Sequence, residues 1–114
     1  MDVRGQVSTW SRAAALGMLL GVAAISHAES FTQGQVDQGQ ALYNRTCVHC
    51  HGRNMVNSGT TVYDLRRFPQ DDKPRFLESV NNGKGTMPSW KGRLKEEEIE
   101  ALWAYVATRG GKDL

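Results

Sequence analysis

The pentapeptide Cys47–His51, with the sequence C-V-H-C-H, constrains this chain more than any other segment. Its C-x-x-C-H pattern is typical of covalent haem c attachment. Cys47 and Cys50 lie three positions apart, so each thiol can add to one vinyl group on the same edge of a porphyrin. His51 directly follows the second thiol and is placed to ligate the iron. The motif therefore predicts one haem c per chain, held by a single short segment.

Two other chemistries use paired cysteines, and the rest of the sequence argues against both. A thioredoxin-like redox pair needs a βαβ context, and the sequence contains no strand pattern. A zinc site needs ligands from separated segments. The only Cys or His outside the pentapeptide is His27, which lies in a segment that we expect to be removed.

Residues 1–28 have the features of a secretory signal peptide. Two arginines precede an apolar run at 13–25 that is too short for a stable membrane anchor. The tripeptide S-H-A at 26–28 is a small-x-small cleavage pattern. Bacteria attach haem c outside the cytoplasm, so we predict cleavage after Ala28, a periplasmic location and a monohaem domain over residues 29–114. The alternative is an uncleaved segment that anchors the protein to a membrane.

The composition argues against two classes of partner. Removing the signal peptide lowers the formal charge from +2 to about +1, because two arginines and one aspartate are lost. The sequence then has neither a nucleic-acid-binding stripe nor a polybasic membrane patch. A chain this short also buries little apolar surface by itself. We therefore expect bound haem to complete the core and to stabilise the fold.

The first and last predicted helices are expected to meet at a glycine. Gly39 and Tyr43 lie one turn apart in the first helix, which should end near Arg45. Gly39 costs about 1 kcal/mol of helix propensity relative to Ala, yet it allows another helix to approach closely. The last helix should begin at the carboxylates of Glu96–Glu98 and include Arg109 in its last turn. Its apolar residues follow at helical spacing, at Ile99, Leu102, Trp103 and Val106.

A middle helix is predicted between two loops. It should begin near residue 71, tolerate Pro74 in its first turn and end at 81–83. The side chains expected to be buried are Phe76, Leu77 and Val80. Outside the helices, residues 29–34 are predicted to be disordered and residues 52–68 to form an extended loop.

Met87 follows the middle helix and is the predicted distal ligand of the iron. The only other methionine after residue 28 is Met55, four positions beyond His51. That separation is too short for the chain to travel round a porphyrin to its opposite face. Gly83 and Gly85 also allow the loop that carries Met87 to turn tightly. The alternative role for Met87 is that of a core methionine.

This order of helices and motifs resembles that of the small class I cytochromes c. The motifs at Cys47–His51 and 86–88 carry the resemblance, which extends over about 36–109. A looser similarity, at 54–56 and 64–66, is to the cytochromes that serve quinoprotein alcohol dehydrogenases.

The resemblance implies an all-α class I cytochrome c fold, with three main helices and loops around one covalently bound haem. It also implies thioether bonds from Cys47 and Cys50, and axial iron ligands from His51 and Met87. Such an iron has no open position, so the implied activity is one-electron transfer and the protein is not an enzyme.

The expected role is a periplasmic electron shuttle between a dehydrogenase and a terminal oxidase or another acceptor. A quinoprotein alcohol dehydrogenase is one candidate donor. A close variant is the electron-accepting subunit of such a dehydrogenase. The alternative from another class is a haem enzyme or gas sensor in which Met87 leaves the iron readily.

Several polar residues are candidates for the surroundings of the haem. Arg66 and Arg67 could pair with the propionates, and Trp90 or Tyr63 could donate a hydrogen bond to one. The alternative is that the arginines are solvated and Trp90 only packs. His49 is expected to face solvent.

Three cations flank the predicted Met87 loop: Lys84, Lys91 and Arg93. If they surround an exposed haem edge, they would attract an acidic docking surface. The alternative is an ordinary solvated face, with its field cancelled by Glu96–Glu98. Trp103 and Tyr105 are expected to pack within the fold and not to conduct electrons.

Overall fold

The computed structural model describes residues 17, 20–22, 29–57, 59 and 61–114. Most of the predicted signal peptide, 1–28, lies outside the described residues. Within the described part of the chain, no helix has the length and apolar character needed to cross a membrane.

Helix α1 spans Gln33–Thr46 and begins earlier than the sequence predicted. Thr32 and Gln35 form a reciprocal capping box, in which the Gln35 amide donates to Thr32 Oγ1 over 3.2 Å and the Thr32 amide donates to Gln35 Oε1 over 2.8 Å. This pairing satisfies two backbone donors that a helix start leaves free. The prediction of a disordered lead-in over 29–34 is therefore wrong.

The last helix, α4, spans Glu96–Ala107 and starts at the three predicted carboxylates. The Lys95 amide donates to a Glu98 carboxylate oxygen over 2.8 Å, which closes the first turn. The helix ends before Arg109, which was expected in its last turn. Arg109 has a φ of 54°, a left-handed conformation that cannot continue an α-helix.

Helices α1 and α4 cross where Gly39 was expected to allow it. A Cβ atom at Gly39 would lie 2.0 Å from the Ala101 carbonyl oxygen and 2.8 Å from Tyr105 Cβ. One turn further along α1, the Tyr43 ring lies 5.1 Å from the Tyr105 ring, centroid to centroid. The contact therefore brings the two backbones together at a separation that only glycine permits.

Helix α3 spans Lys73–Asn82. Asp72 caps it by accepting a hydrogen bond from the Arg75 amide, and a proline occupies its first turn. Phe76 and Val80 are buried as predicted, whereas Leu77 is only half-buried. The Phe76 ring lies 5.2 Å from the Trp103 ring, so α3 packs against α4 through aromatic side chains.

Glu29 ties the start of the described domain to both α3 and α4. Its carboxylate pairs with Lys73 over 2.7 Å and accepts a hydrogen bond from Trp103 Nε1 over 2.9 Å. Lys73 also pairs with Glu100 over 2.6 Å. Burial alone would raise the pKa of Glu29, but the hydrogen bonds from Lys73 and Trp103 lower it overall. The first residue after the predicted cleavage site is therefore part of the folded domain.

The segments between the long helices are short turns and loops. A single-turn helix, α2, spans Val48–His51, and 3-10 turns span Arg53–Met55 and Leu65–Arg67. The predicted extended loop over 52–68 thus contains two tight turns. The described residues form helices, turns and two isolated bridges, with no β-strand, and the predicted all-α fold is confirmed.

Candidate haem site

All four predicted haem-binding residues line one cavity of about 400 Å³. Cys47, Cys50 and His51 reach it from the end of α1 and from α2, and Met87 reaches it from the loop after α3. The volume lies within the range of about 300–1,000 Å³ that is usual for ligand pockets. Most of the other lining side chains are apolar or aromatic, and none of the lining residues is Asp or Glu. An apolar cavity with two thiols, an imidazole and a thioether fits a covalently bound haem.

The two cysteines lie on one helical turn. The Cys47 amide closes the last turn of α1 by donating to the Tyr43 carbonyl over 2.9 Å. The amides of Cys50 and His51 then donate back to the Cys47 carbonyl, over 3.2 and 2.9 Å. Both thiols are free. This turn places the thiols and the imidazole at the same cavity.

The Cys47 thiol is the less exposed of the pair. It is half-buried beside Thr46, whose hydroxyl oxygen lies 3.3 Å from Cys47 Sγ, whereas Cys50 is exposed. Burial raises the pKa of the Cys47 thiol. Since a thiolate is more reactive than a thiol, Cys47 is a weaker spontaneous nucleophile in this fold than an ordinary exposed cysteine.

The orientation of His51 follows from a backbone hydrogen bond. Its Nδ1 lies 3.2 Å from the Tyr63 carbonyl oxygen. A carbonyl only accepts hydrogen bonds, so Nδ1 carries the proton and Nε2 keeps its lone pair. Burial lowers the pKa of His51 more than this hydrogen bond raises it, which favours the neutral ring that a metal requires. Sequence analysis missed this contact because it uses a main-chain atom and leaves no residue-type signal.

A tight turn holds Met87 at the cavity. The Lys84 and Met87 backbones exchange two hydrogen bonds of 3.1 and 3.0 Å. Gly85 turns the chain with a φ of 59°, and a Cβ atom at Gly83 would lie 2.6 Å from the Met87 carbonyl oxygen. Met55, in contrast, is 2% exposed and does not line the cavity. Of these two methionines, only Met87 therefore lines the cavity, and its role as an iron ligand stays a prediction.

The predicted propionate partners separate into two groups. Tyr63 and Trp90 line the cavity, whereas Arg66 and Arg67 do not. The Arg66 guanidinium pairs with Asp64 over 2.8 Å. Both arginines are exposed, which favours the alternative that they are solvated, and a contact with a propionate stays a prediction.

Three further predictions concern residues around the site. His49 is exposed, as expected. Trp103 and Tyr105 are buried in the core and do not line the cavity, so their packing role is confirmed.

The three cations predicted near the Met87 loop are all exposed: Lys84, Lys91 and Arg93. We refer to them as the basic rim. Lys84 lines the cavity, and the Arg93 guanidinium lies 5.5 Å from the centre of the Trp90 ring, which also lines it. Two members of the basic rim therefore lie beside the cavity, and the third, Lys91, directly follows Trp90 in the sequence.

The all-helical fold and this cavity are those of a small c-type cytochrome. The family described as cytochrome c oxidase, cbb3-type, subunit III matches residues 34–106. Curated relatives include cytochrome c6 of Nostoc sp., which is 34% identical over 102 residues, covering 84% of this chain and 92% of the relative. Cytochrome c6 of Microcystis aeruginosa is 35% identical over 78 residues, covering 65% of this chain and 96% of the relative. The chloroplastic cytochrome c6 of Chlamydomonas reinhardtii is 35% identical over 98 residues, covering 81% of this chain and 66% of the relative. No solved structure matches the chain.

The chain belongs to this family of monohaem c-type cytochromes. The predicted class I cytochrome c fold and the predicted cofactor, one covalently bound haem c, are confirmed. The protein is an electron-transfer cytochrome and not an enzyme. The looser similarity to cytochromes of quinoprotein alcohol dehydrogenases stays a prediction.

Proposed function

We propose that Cys47 and Cys50 attach the haem in this cavity and that His51 and Met87 ligate its iron. The observation that carries the proposal is the convergence of all four side chains on one apolar cavity from segments up to 40 positions apart in sequence. The hydrogen bond between His51 Nδ1 and Tyr63 supports the assignment, because it leaves Nε2 free to bind a metal.

The bound haem supplies a one-electron ferric–ferrous couple. If His51 and Met87 hold the iron in both oxidation states, few atoms would need to move when the charge changes. The soft sulfur of Met87 favours the ferrous state and raises the reduction potential relative to two nitrogen ligands. The helical turn at Cys47 and the hydrogen-bonded turn at Met87 hold these ligands on backbone that is itself fixed.

The proposed location is the periplasm, with residues 1–28 acting as a signal peptide and residues 29–114 forming the mature domain. The contacts of Glu29 with Lys73 and Trp103 support this boundary, because cleavage after Ala28 would keep both contacts within the mature domain.

The proposed partners are a dehydrogenase that donates electrons and a terminal oxidase that accepts them. The description of the matching family names a cytochrome c oxidase subunit, which favours an oxidase on the acceptor side. A quinoprotein alcohol dehydrogenase is retained as one candidate donor.

Absorption spectra of the purified native protein test the proposed ligation. We expect low-spin spectra in both oxidation states, a sulfur-to-iron band in the oxidised protein and no binding of carbon monoxide after reduction. A high-spin spectrum, or ready binding of carbon monoxide, would contradict the proposal. The iron would then have an open position, as in a gas sensor or haem enzyme.

The basic rim is expected to speed up reaction with anionic partners. Changing Lys84, Lys91 and Arg93 to glutamine should slow oxidation of the ferrous protein by hexacyanoferrate(III) about tenfold at low salt, because a cationic surface attracts an anionic oxidant. Stopped-flow measurements over a range of salt concentrations would record the rates. A cationic cobalt(III) complex should show the opposite change.

A control variant for this experiment removes the same charge elsewhere. Arg45, Arg53 and Lys112 are exposed and lie outside the cavity lining. Their change to glutamine should have a much smaller effect. Equal effects of the two triple variants would mean that only net charge matters and that the basic rim has no special role.

A further inference from the structure

Arg75 is a cation at the cavity whose guanidinium has no anionic partner among the described residues. It lines the cavity and is half-buried. Its backbone amide donates to the Asp72 cap of α3, but none of the ion pairs within the described part of the chain includes its guanidinium. No Asp or Glu occurs among the lining residues.

Three other cations near α3 and α4 are already paired. Arg66 binds Asp64, Arg109 binds Asp113 over 3.1 Å, and Lys73 bridges two glutamates. Removing a charge from water without a partner is costly. Arg75 is half-buried in a lining without Asp or Glu, so it is suited to pair with an anion that the occupant of the cavity supplies.

Two aromatic rings fix the position of Arg75. Its guanidinium carbon lies 4.9 Å from the centre of the Phe68 ring and 5.4 Å from that of the Tyr63 ring. Both rings line the cavity. Stacking on aromatic faces uses the plane of the guanidinium and leaves its N–H groups free at the edge. Arg75 is therefore held beside the cavity with its donors available.

We propose that Arg75 binds a propionate carboxylate of the haem. The proposal rests on the haem site proposed above, and it is an alternative to a propionate contact by Arg66 or Arg67. The propionates are the carboxylates that a haem brings into an otherwise acid-free cavity, and a guanidinium can hold a carboxylate with two parallel hydrogen bonds. Lys84, the other Lys or Arg in the lining, is exposed and has no aromatic stack among the described contacts.

A fixed positive charge at this position also affects the redox equilibrium. Arg75 favours the ferrous state, which carries one positive charge less than the ferric state. Arg75 would thus be a positioning residue for the cofactor and would raise its reduction potential.

The test compares Arg75→Gln, Arg75→Lys and the control Arg66→Gln by spectroelectrochemistry of the purified holoproteins. At the native midpoint potential, we expect the ferric-to-ferrous ratio of Arg75→Gln to rise about tenfold, as estimated for loss of a charge near a partly buried site. Arg75→Lys keeps the charge and should stay close to native. Arg66→Gln removes an arginine that is already paired outside the cavity and should leave the ratio unchanged.

The binding contact itself has a separate readout. In the ferrous protein, NMR should show slow exchange of the Arg75 Nε–H with solvent, much slower than that of the exposed Arg66.

An unchanged midpoint potential in Arg75→Gln, together with fast exchange at Arg75, would overturn the proposal and leave Arg75 a packing residue. An equal shift in Arg66→Gln would also overturn it. If Arg75→Gln does not fold, a native-like Arg75→Lys with slow exchange in the native protein supports the proposal, and fast exchange there contradicts it.

Failure of this proposal is distinguishable from failure of the proposed haem site. Absorption spectra of the native protein report haem and its ligation without reference to Arg75. A protein that lacks the expected haem spectrum contradicts the site. A normal haem spectrum with no effect of Arg75 contradicts only the propionate contact.

Discussion

Gly39→Ala is expected to lower the free energy of unfolding of the holoprotein by about 3 kcal/mol, the upper end of the usual range for overpacking. The added Cβ would lie 2.0 Å from the Ala101 carbonyl oxygen and 2.8 Å from Tyr105 Cβ. The first contact is with backbone, so no side-chain rotation can relieve it and α1 must move away from α4. Alanine favours a helix by about 1 kcal/mol over glycine, which offsets only part of this cost.

The effect should reach the haem site, because both helices line the cavity. Tyr43, which lies one turn after Gly39, and Leu102 and Val106 of α4 are all lining residues. Separating the helices would enlarge the cavity and loosen the hold on the Cys47 turn. We expect a less stable protein with a broadened haem spectrum, measured by denaturant titration of both signals.

Gly34→Ala provides a matched control within the same helix. A Cβ atom at Gly34 would meet only the Thr32 hydroxyl oxygen, at 3.9 Å. This change should therefore be neutral or slightly stabilising, as helix propensity predicts. Equal stability of the two alanine variants would contradict the close crossing of α1 and α4.

Met87→Leu is expected to open one face of the iron. Leucine keeps a similar apolar volume but has no sulfur, so the reduced variant should bind carbon monoxide while the native protein does not. Its reduction potential should fall by a substantial part of the roughly 0.8 V range over which axial ligands set haem potentials. Absorption spectra and potentiometry of the reduced protein measure both effects.

Met55→Leu is the control for the loss of a methionine. Met55 is buried but does not line the cavity, and a Met-to-Leu change in a core usually costs less than about 1.5 kcal/mol. It should keep the native spectrum and remain closed to carbon monoxide. A native-like spectrum in Met87→Leu would show that another group ligates the iron.

The features that the sequence predicted well depend on local patterns. The cysteine pair and His51 are adjacent in sequence, and the carboxylates at Glu96–Glu98 start a helix by a local effect. Gly39 was predictable because a glycine in a helical pattern indicates a close contact, and the observed crossing confirms that interpretation. Met87 was chosen by elimination between two methionines, and its place in the cavity lining is observed while its role as a ligand stays a prediction.

The features that sequence analysis missed depend on long-range or main-chain contacts. Glu29 and Trp103 are 74 positions apart, and no local pattern pairs them. Arg66 was an attractive propionate partner by residue type, but Asp64, two positions away, binds it. Arg75 looked like an ordinary helix residue, and only the packing of Phe68 and Tyr63 beside α3 places it at the cavity.

One missed feature was nevertheless readable in the sequence. Thr32 and Gln35 form the T-x-x-Q pattern of a capping box. Recognising it would have started α1 at Gln33 and removed the prediction of a disordered lead-in.

The central claim is that the Cys47–His51 turn holds one haem covalently in a mature domain that begins at Glu29. The most direct test is the mass of the intact protein, isolated from the periplasmic fraction and fully denatured before measurement. We predict a single species with the mass of residues 29–114 plus one haem. A polypeptide mass without haem would contradict covalent attachment, and a mass that includes residues 1–28 would contradict the proposed cleavage.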